Sequence, residues 1–197
     1  MEASRRTQKP IIAIKSGVSA HGAAAAASHT GSLAGTAKVY NAAFHQAGIV
    51  QANDLDDLFD RTLALSLQPP MKGDNLLIIT NGGGPGAMAA DRAGDLDIPL
   101  AELNMETMQK LNNCLPPTWS HANPIDIVGD ATPERYRDAI LAVASDPDVD
   151  GILVMLTPQA MTQPAEVAQA VIDAHDQTGK ALLTCWMGEE QVAKARK

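Results

Sequence analysis

One histidine in this chain stands among residues small enough to let a large ligand reach it. It lies in Ser28-His29-Thr30-Gly31-Ser32-Leu33-Ala34-Gly35, directly after the alanines of Ala23 to Ala27. Neutral imidazole is a ready nucleophile near pH 7, because its ordinary pKa is about 6.5 and no separate base is needed to deprotonate it. Small neighbours leave backbone N–H groups accessible, and oriented N–H groups bind phosphate. The chemistry indicated is a phosphoryl group carried on His29, with Ser28, Thr30 and Gly31 as its surroundings. The alternative is a loop histidine that only hydrogen-bonds its neighbours.

A second candidate is Asn81-Gly82-Gly83-Gly84-Pro85-Gly86, between the apolar run Asn75 to Thr80 and the small-residue helix expected over Ala87 to Ala93. A glycine turn from strand to helix aims helix N–H groups at an anion. Gly82, Gly84 and Ala87 also satisfy the dinucleotide fingerprint, and Glu102 lies where a ribose-binding acid is expected. Three readings stand side by side: a structural turn, an anion site and a dinucleotide site. Lys15-Ser16-Gly17 lacks the preceding glycine of a P-loop, and no metalloprotease, paired-cysteine or nucleophile-elbow motif is present. His21, His45, His121 and His175 read as surface or structural residues, and Asp126 and Asp130 as solvated loop acids. No metal site is expected.

The elements that must position these residues alternate. Pro10–Ile14 reads as a buried strand, followed by a glycine- and alanine-rich loop carrying His29. A helix from Ala37 presents Val39, Ala43 and Ala47 in one row and Tyr40 and Phe44 in another, with Gly48 as its stop. After a brief strand at Ile49-Val50, a helix capped by Asn53 should turn Leu55, Leu58, Phe59, Thr62 and Leu63 inward. Residues 68–74 form the clearest linker. Beyond it come strands at 75–80, 98–101, 151–156 and 181–185, an extended piece at 123–127, and helices over 105–113 and 164–174. A further helix is capped by Thr132 with Pro133 first inside it, and Tyr136, Ala139, Ile140 and Val143 face its core. Such alternation means an α/β fold with a parallel sheet.

The chain has 197 residues, 45 % hydrophobic and 19 % charged, which suits one large or two small domains. Aromatics are only 3 %, so the core is aliphatic. A net charge of −8 argues against broad nucleic-acid binding and against an anionic membrane surface. An anionic substrate is still compatible, because backbone amides bind anions without net positive charge. Cys114 and Cys185 form neither a zinc pattern nor a disulfide framework, and each reads as a small buried hydrophobe. With no signal segment and no membrane span, the expected location is the cytoplasm.

Taken together, these motifs resemble the NDP-forming acyl-CoA synthetases, the superfamily of succinyl-CoA synthetase and ADP-forming acetyl-CoA synthetase. Lys9–Gly17 followed by Ser28–Gly35 is similar to the phosphohistidine segment, and Asn81–Gly86 to the glycine turn of the following flavodoxin-like domain. Ala122-Asn123-Pro124-Ile125-Asp126-Ile127, with Thr132-Pro133-Glu134-Arg135-Tyr136, is similar to that domain's later loop and helix.

The resemblance implies flavodoxin-like (Rossmann-like) parallel sheet layers of the succinyl-CoA synthetase type. The end of a first, incomplete domain would occupy residues 1–68, a linker 69–74, and a second domain, truncated at its C-terminus, 75–197. It implies that His29 takes a phosphoryl group from an acyl phosphate and passes it to ADP. Ser28, Thr30, Gly31, Asn81, Gly82, Gly83, Gly84 and Gly86 would then bind the phosphate. ATP or ADP, magnesium and CoA belong to the parent enzyme, and the expectation is that this segment alone binds none of them. Its partners would be CoA-binding and ATP-grasp domains or subunits of the same enzyme, in a homo- or hetero-oligomer. The segment is expected to have no complete ligase activity alone. One alternative is the synthetase-like regulatory region of a GNAT-type protein acetyltransferase, and another is an NAD-binding module.

Overall fold

A computed structural model of the chain describes residues 9–30 and 36–196. It divides into two compact units, residues 1–67 and 68–197.

In the first unit, strands β1 (Ile12–Ile14) and β2 (Val50–Ala52) pair in parallel. Between them lie helices α1 (Ala20–Thr30) and α2 (Ala37–Ala47), and α3 (Leu55–Leu67) follows. The loop expected around His29 is instead α1. Alanine is the strongest helix former, and the Ser19 hydroxyl caps the amino end by accepting from the Gly22 N–H at 3.1 Å. Gly48 ends α2 as expected, in a left-handed conformation with φ 63°. The cap of α3 is not Asn53 but Asp54, whose carboxylate accepts from the Asp57 N–H at 2.8 Å. Asn53 donates through its backbone and side chain to the Asp57 carboxylate. Nor does α3 turn its whole apolar row inward: Leu55, Phe59 and Leu63 are 61, 67 and 59 % exposed.

The second unit is a four-stranded parallel sheet in the order β4-β3-β5-β6, from β3 (Leu76–Thr80), β4 (Ile125–Asp126), β5 (Gly151–Leu156) and β6 (Ala181–Trp186). Around it run α4 (Gly83–Asp95), α5 (Met105–Cys114), α6 (Pro133–Ala144) and α7 (Pro164–Thr178). Its continuous core includes Leu77, Ile79, Leu111, Trp119, Ile125, Tyr136, Ile140, Val154 and Leu156. Thr132 caps α6 as expected, accepting from the Arg135 N–H.

The strand expected at 98–101 reduces to one parallel bridge, Leu100 beside Leu76. A side chain fills the gap between that bridge and β4. The Asn123 amide accepts from the Ile78 N–H at 3.0 Å and donates to the carbonyls of Leu76 and Ala101 at 2.9 and 3.0 Å. It thus replaces a missing stretch of strand on the edge of β3. The Asn123–Pro124 peptide bond is cis. Cys185 is exposed on β6, not the small buried hydrophobe expected, and Cys114 is half-buried against the core.

Candidate functional site

His29 occupies the last turn of α1 and its ring is exposed. Helical hydrogen bonding engages the N–H groups preceding it, and the C-terminal end of a helix carries partial negative charge. The helix backbone around His29 therefore opposes a phosphoryl dianion, contrary to what its small neighbours suggest. Ser28 is exposed beside it, Thr30 closes the helix, and Gly31 lies outside the described residues.

The glycine turn offers donors. It stands at the carboxyl end of β3, the edge where parallel α/β sheets bind ligands. Thr80, fully buried, sets its shape: the hydroxyl donates to the Gly82 carbonyl at 3.0 Å and accepts from the Gly82 N–H at 3.1 Å. Asn81 is buried and spent in a reciprocal clamp, accepting from the Thr157 N–H at 2.7 Å and donating to the Thr157 carbonyl at 2.9 Å. Gly82 is the N-cap of α4, and the Gly86 N–H already bonds the Gly82 carbonyl. Pro85 has no N–H. The first-turn donors facing outward are therefore those of Gly83 and Gly84, both exposed glycines. Gly86 is required for packing: a Cβ there would lie 2.9 Å from Thr80 Cγ2.

Asp126 belongs to this edge and is not simply a solvated loop acid. It is half-buried, and its Oδ2 lies 3.0 Å from where a Cβ on Gly83 would stand. Its other oxygen accepts from the Val128 N–H at 2.9 Å, while its own N–H donates to Ser120 Oγ at 2.9 Å. Val128 holds a left-handed conformation, φ 72°, which for a β-branched residue costs about 1–3 kcal/mol. The turn survives because its flanks are bolted. Ile127 donates its N–H to the Thr80 carbonyl at 2.8 Å, and Arg135 donates to the Ile127 carbonyl at 3.0 Å while pairing with Asp130. Beneath it, burial and then the Asp126 carboxylate push the Tyr136 phenol above its ordinary range, so it stays protonated and donates to the Met155 carbonyl.

The dinucleotide reading fails on geometry. Glu102 follows the bridge at Leu100, beside the first residue of β3, and donates its N–H to Asp148 at 2.6 Å just before β5 begins. It therefore sits at the amino edge of the sheet, a strand length of about 13–16 Å from the glycine turn. A ribose acid belongs at the carboxyl edge. Thr80, Thr157 and Val128 were not legible as part of the site. The Asn-Pro-Ile-Asp run was the one signal near them. Among the described residues no acidic, histidine and cysteine cluster could hold a metal ion, and no helix is long and apolar enough to cross a membrane.

Comparison with known proteins gives the site a setting. Residues 1–65 match the succinyl-CoA ligase-like flavodoxin domain and residues 76–196 the Ligase-CoA domain. The chain is 42 % identical over 96 % of its length to acetate–CoA ligase [ADP-forming] I of Archaeoglobus fulgidus, covering 27 % of that protein. It is 44 % identical over 88 % of its length to the alpha subunit of the corresponding Pyrococcus furiosus ligase I, covering 37 % of that subunit. A solved acetyl-coenzyme A synthetase 1 of Candidatus Korarchaeum cryptofilum, in complex with phosphate and ADP, superposes on 98 % of the chain. The TM-score is 0.90 at 41 % identity, and the match covers 42 % of that protein. The chain thus spans less than half the length of each of these relatives.

Proposed function

The chain belongs to the NDP-forming acyl-CoA synthetase superfamily, and from that premise we propose that it forms the phosphohistidine-bearing part of an ADP-forming acyl-CoA ligase for small carboxylic acids, acetate first among them. The observation that carries the reading is the pairing of an exposed His29 with a structural match to a phosphate- and ADP-bound synthetase over 98 % of the chain.

The chemistry follows from the groups present. Phosphate oxygen attacks the acyl thioester, the C–S bond breaks, and CoA leaves as its thiol with one proton taken up. The acyl phosphate is left. An imidazole nitrogen of His29 then attacks phosphorus; the P–O bond to the carboxyl group breaks and the free carboxylate departs. The Gly83 and Gly84 N–H groups, at the positive end of α4, neutralise phosphate charge in the first step. Asn81, Gly82 and Gly86 hold those two donors in place by the clamp, the cap and the close packing described above. In the last step a terminal phosphate oxygen of ADP attacks phosphorus, the P–N bond breaks, and ATP and neutral imidazole are released. Ser28, Thr30 and Gly31 flank the histidine and offer polar contacts to the phosphoryl group.

Nucleotide and magnesium chemistry is assigned to an ATP-grasp partner, and CoA binding to a further domain or subunit. The existence of relatives divided into subunits supports this assignment. The test is turnover of acetyl-CoA, phosphate and ADP to ATP. It should require the assembled enzyme, be lost in His29→Ala, and be absent from the chain alone. Turnover by the chain alone, or by assembled His29→Ala, contradicts the proposal.

A further inference from the structure

We propose that Lys15, whose ammonium stands over the Tyr40 ring, supplies the counter-charge for a phosphoryl group on His29. The inference rests on the reading above that His29 is phosphorylated.

The placement is built within the first unit. Lys15 directly follows β1, at the carboxyl edge of the two-stranded parallel sheet. Parallel α/β sheets bind their ligands at that edge. From Lys15 the chain passes through Gly17, φ 74°, which packs on α1. A Cβ on Gly17 would lie 3.4 Å from Ala26 Cβ and 3.6 Å from Ala23 Cα. Gly22 permits the approach, since a Cβ there would stand 3.2 Å from Gly17 Cα. Ser19 caps the amino end of α1, yet Gly17, two residues earlier, already lies level with Ala23 to Ala26. Read backwards from Ser19, the segment therefore runs along α1 toward its carboxyl end. His29 follows Ala26 by three residues on the same helix face, about 4.5 Å further along the axis. The two residues from Gly17 to Lys15 span up to about 7 Å, and the four-carbon stem of lysine extends that reach. A phosphoryl group on His29 is thus within range of the Lys15 ammonium.

That ammonium is held without being neutralised. It lies 4.8 Å from the Tyr40 ring centroid, and Tyr40 is braced edge-on by Phe44 with ring centroids 6.1 Å apart. It also donates to the Ser16 carbonyl. A ring face attracts a cation without using its N–H groups, and an ammonium has three of them. Two donors are left for phosphoryl oxygens. Among the described residues Lys15 has no carboxylate partner, whereas Arg61 in the same unit is paired with Asp57. Lys38 is exposed two positions before Tyr40, which puts it on the other side of α2. The carboxyl end of α1 disfavours a dianion, and a cation beside it offsets that partial charge. Lys15 thereby stabilises the phosphorylated form of the enzyme over the free one.

The test is the equilibrium between ATP and phosphorylated enzyme. The chain, assembled with its ATP-grasp partner, is incubated with magnesium and γ-labelled ATP over a series of ATP-to-ADP ratios. The ratio that gives half-maximal acid-labile label is read, together with the melting temperature. Lys15→Met should raise that ratio by about 10-fold or more, because a charged hydrogen bond to the phosphoryl group is lost. Lys15→Arg keeps the charge and should raise it by less than about 3-fold. Lys38→Met should leave it unmoved, and the melting temperatures should stay at that of the wild type. A ratio unchanged in Lys15→Met overturns the proposal. So does a shift in Lys15→Arg or Lys38→Met as large as that in Lys15→Met. If Lys15→Met does not fold, Lys15→Gln takes its place with the same expectation. Absence of label from a wild type that binds ATP sinks the phosphohistidine reading itself.

Discussion

At the scale of single residues, the histidine and the glycine turn differ in what their helices offer an anion. His29 is exposed and ends a helix whose C-terminal charge disfavours a dianion, whereas Gly83 and Gly84 stand exposed at the amino end of theirs. The glycines of that turn are not equivalent. A methyl group on Gly84 meets nothing within 4 Å, whereas on Gly86 it meets Thr80 Cγ2 at 2.9 Å. Gly84→Ala should therefore raise stability by up to about 1 kcal/mol through helix propensity. Gly86→Ala should lower it by about 1–2 kcal/mol, as overpacking outweighs the same gain. Urea unfolding of the two variants reads both signs; equal effects would mean that Gly86 is not held against Thr80. The histidine and the glycine turn stood out in the sequence because each is a compact run of unusual composition. Asn81 drew attention for its place in that run, but its clamp on Thr157 joins residues 76 positions apart, and no local pattern encodes such a partner. Val128 was invisible for the same reason: tertiary bonds impose its conformation against its own preference.

At the scale of elements, strands and helices of the second unit were legible wherever an apolar period was long. Gly151–Leu156 and the α6 face of Tyr136, Ala139, Ile140 and Val143 lie as the periodicity requires. Two elements were misread for identifiable reasons. The run of small residues before His29 suggested a loop, but alanine propensity and the Ser19 cap make it α1. The apolar run at 98–101 suggested a strand, but its pairing stops at Leu76, and beyond it the Asn123 side chain takes the Ile78 N–H and the Ala101 carbonyl. Asn123→Ala deprives the Ile78 N–H and the Ala101 carbonyl of that partner, while the Leu76 carbonyl keeps the Ala101 N–H, and should cost about 2–4 kcal/mol in chemical denaturation. A loss below about 0.5 kcal/mol would show that water replaces it. At the opposite edge, Asp146 is 1 % exposed. Burial works to raise its pKa, but hydrogen bonds from Thr107, the Asp148 N–H and Asn104 outweigh burial and hold it below the usual carboxylate range. A depressed folded-state pKa adds stability above the unfolded value of about 3.9, and that stability is lost as pH falls below it. Asp146→Asn should thus be less stable than wild type at pH 7, with the gap narrowing below about pH 4. A gap independent of pH would contradict this.

At the scale of the whole molecule, the two units differ in how far they bury their own apolar residues. The second has one continuous core. In the first, Val39, Leu55, Phe59, Leu63 and Leu67 are all more than half exposed, and Ala47 and Ala52 are its buried hydrophobics among the described residues. Residues 68–197 expressed alone should melt cooperatively, whereas residues 1–67 alone should bind a hydrophobic dye and show no cooperative transition. A sharp melt of the shorter piece would mean that its exposed row needs no cover. The alternation of apolar strands with helices carried the α/β class, but the packing of each unit was not legible, because exposure of an amphipathic face depends on what else covers it. The central claim is that His29 carries phosphate. The direct test is to incubate the chain, assembled with its ATP-grasp partner, with labelled ATP and magnesium, as wild type and as His29→Ala. Acid-labile, base-stable protein phosphate in the wild type and none in His29→Ala is the result this account requires. Equal labelling of both forms, or none in a wild type that binds ATP, would contradict it.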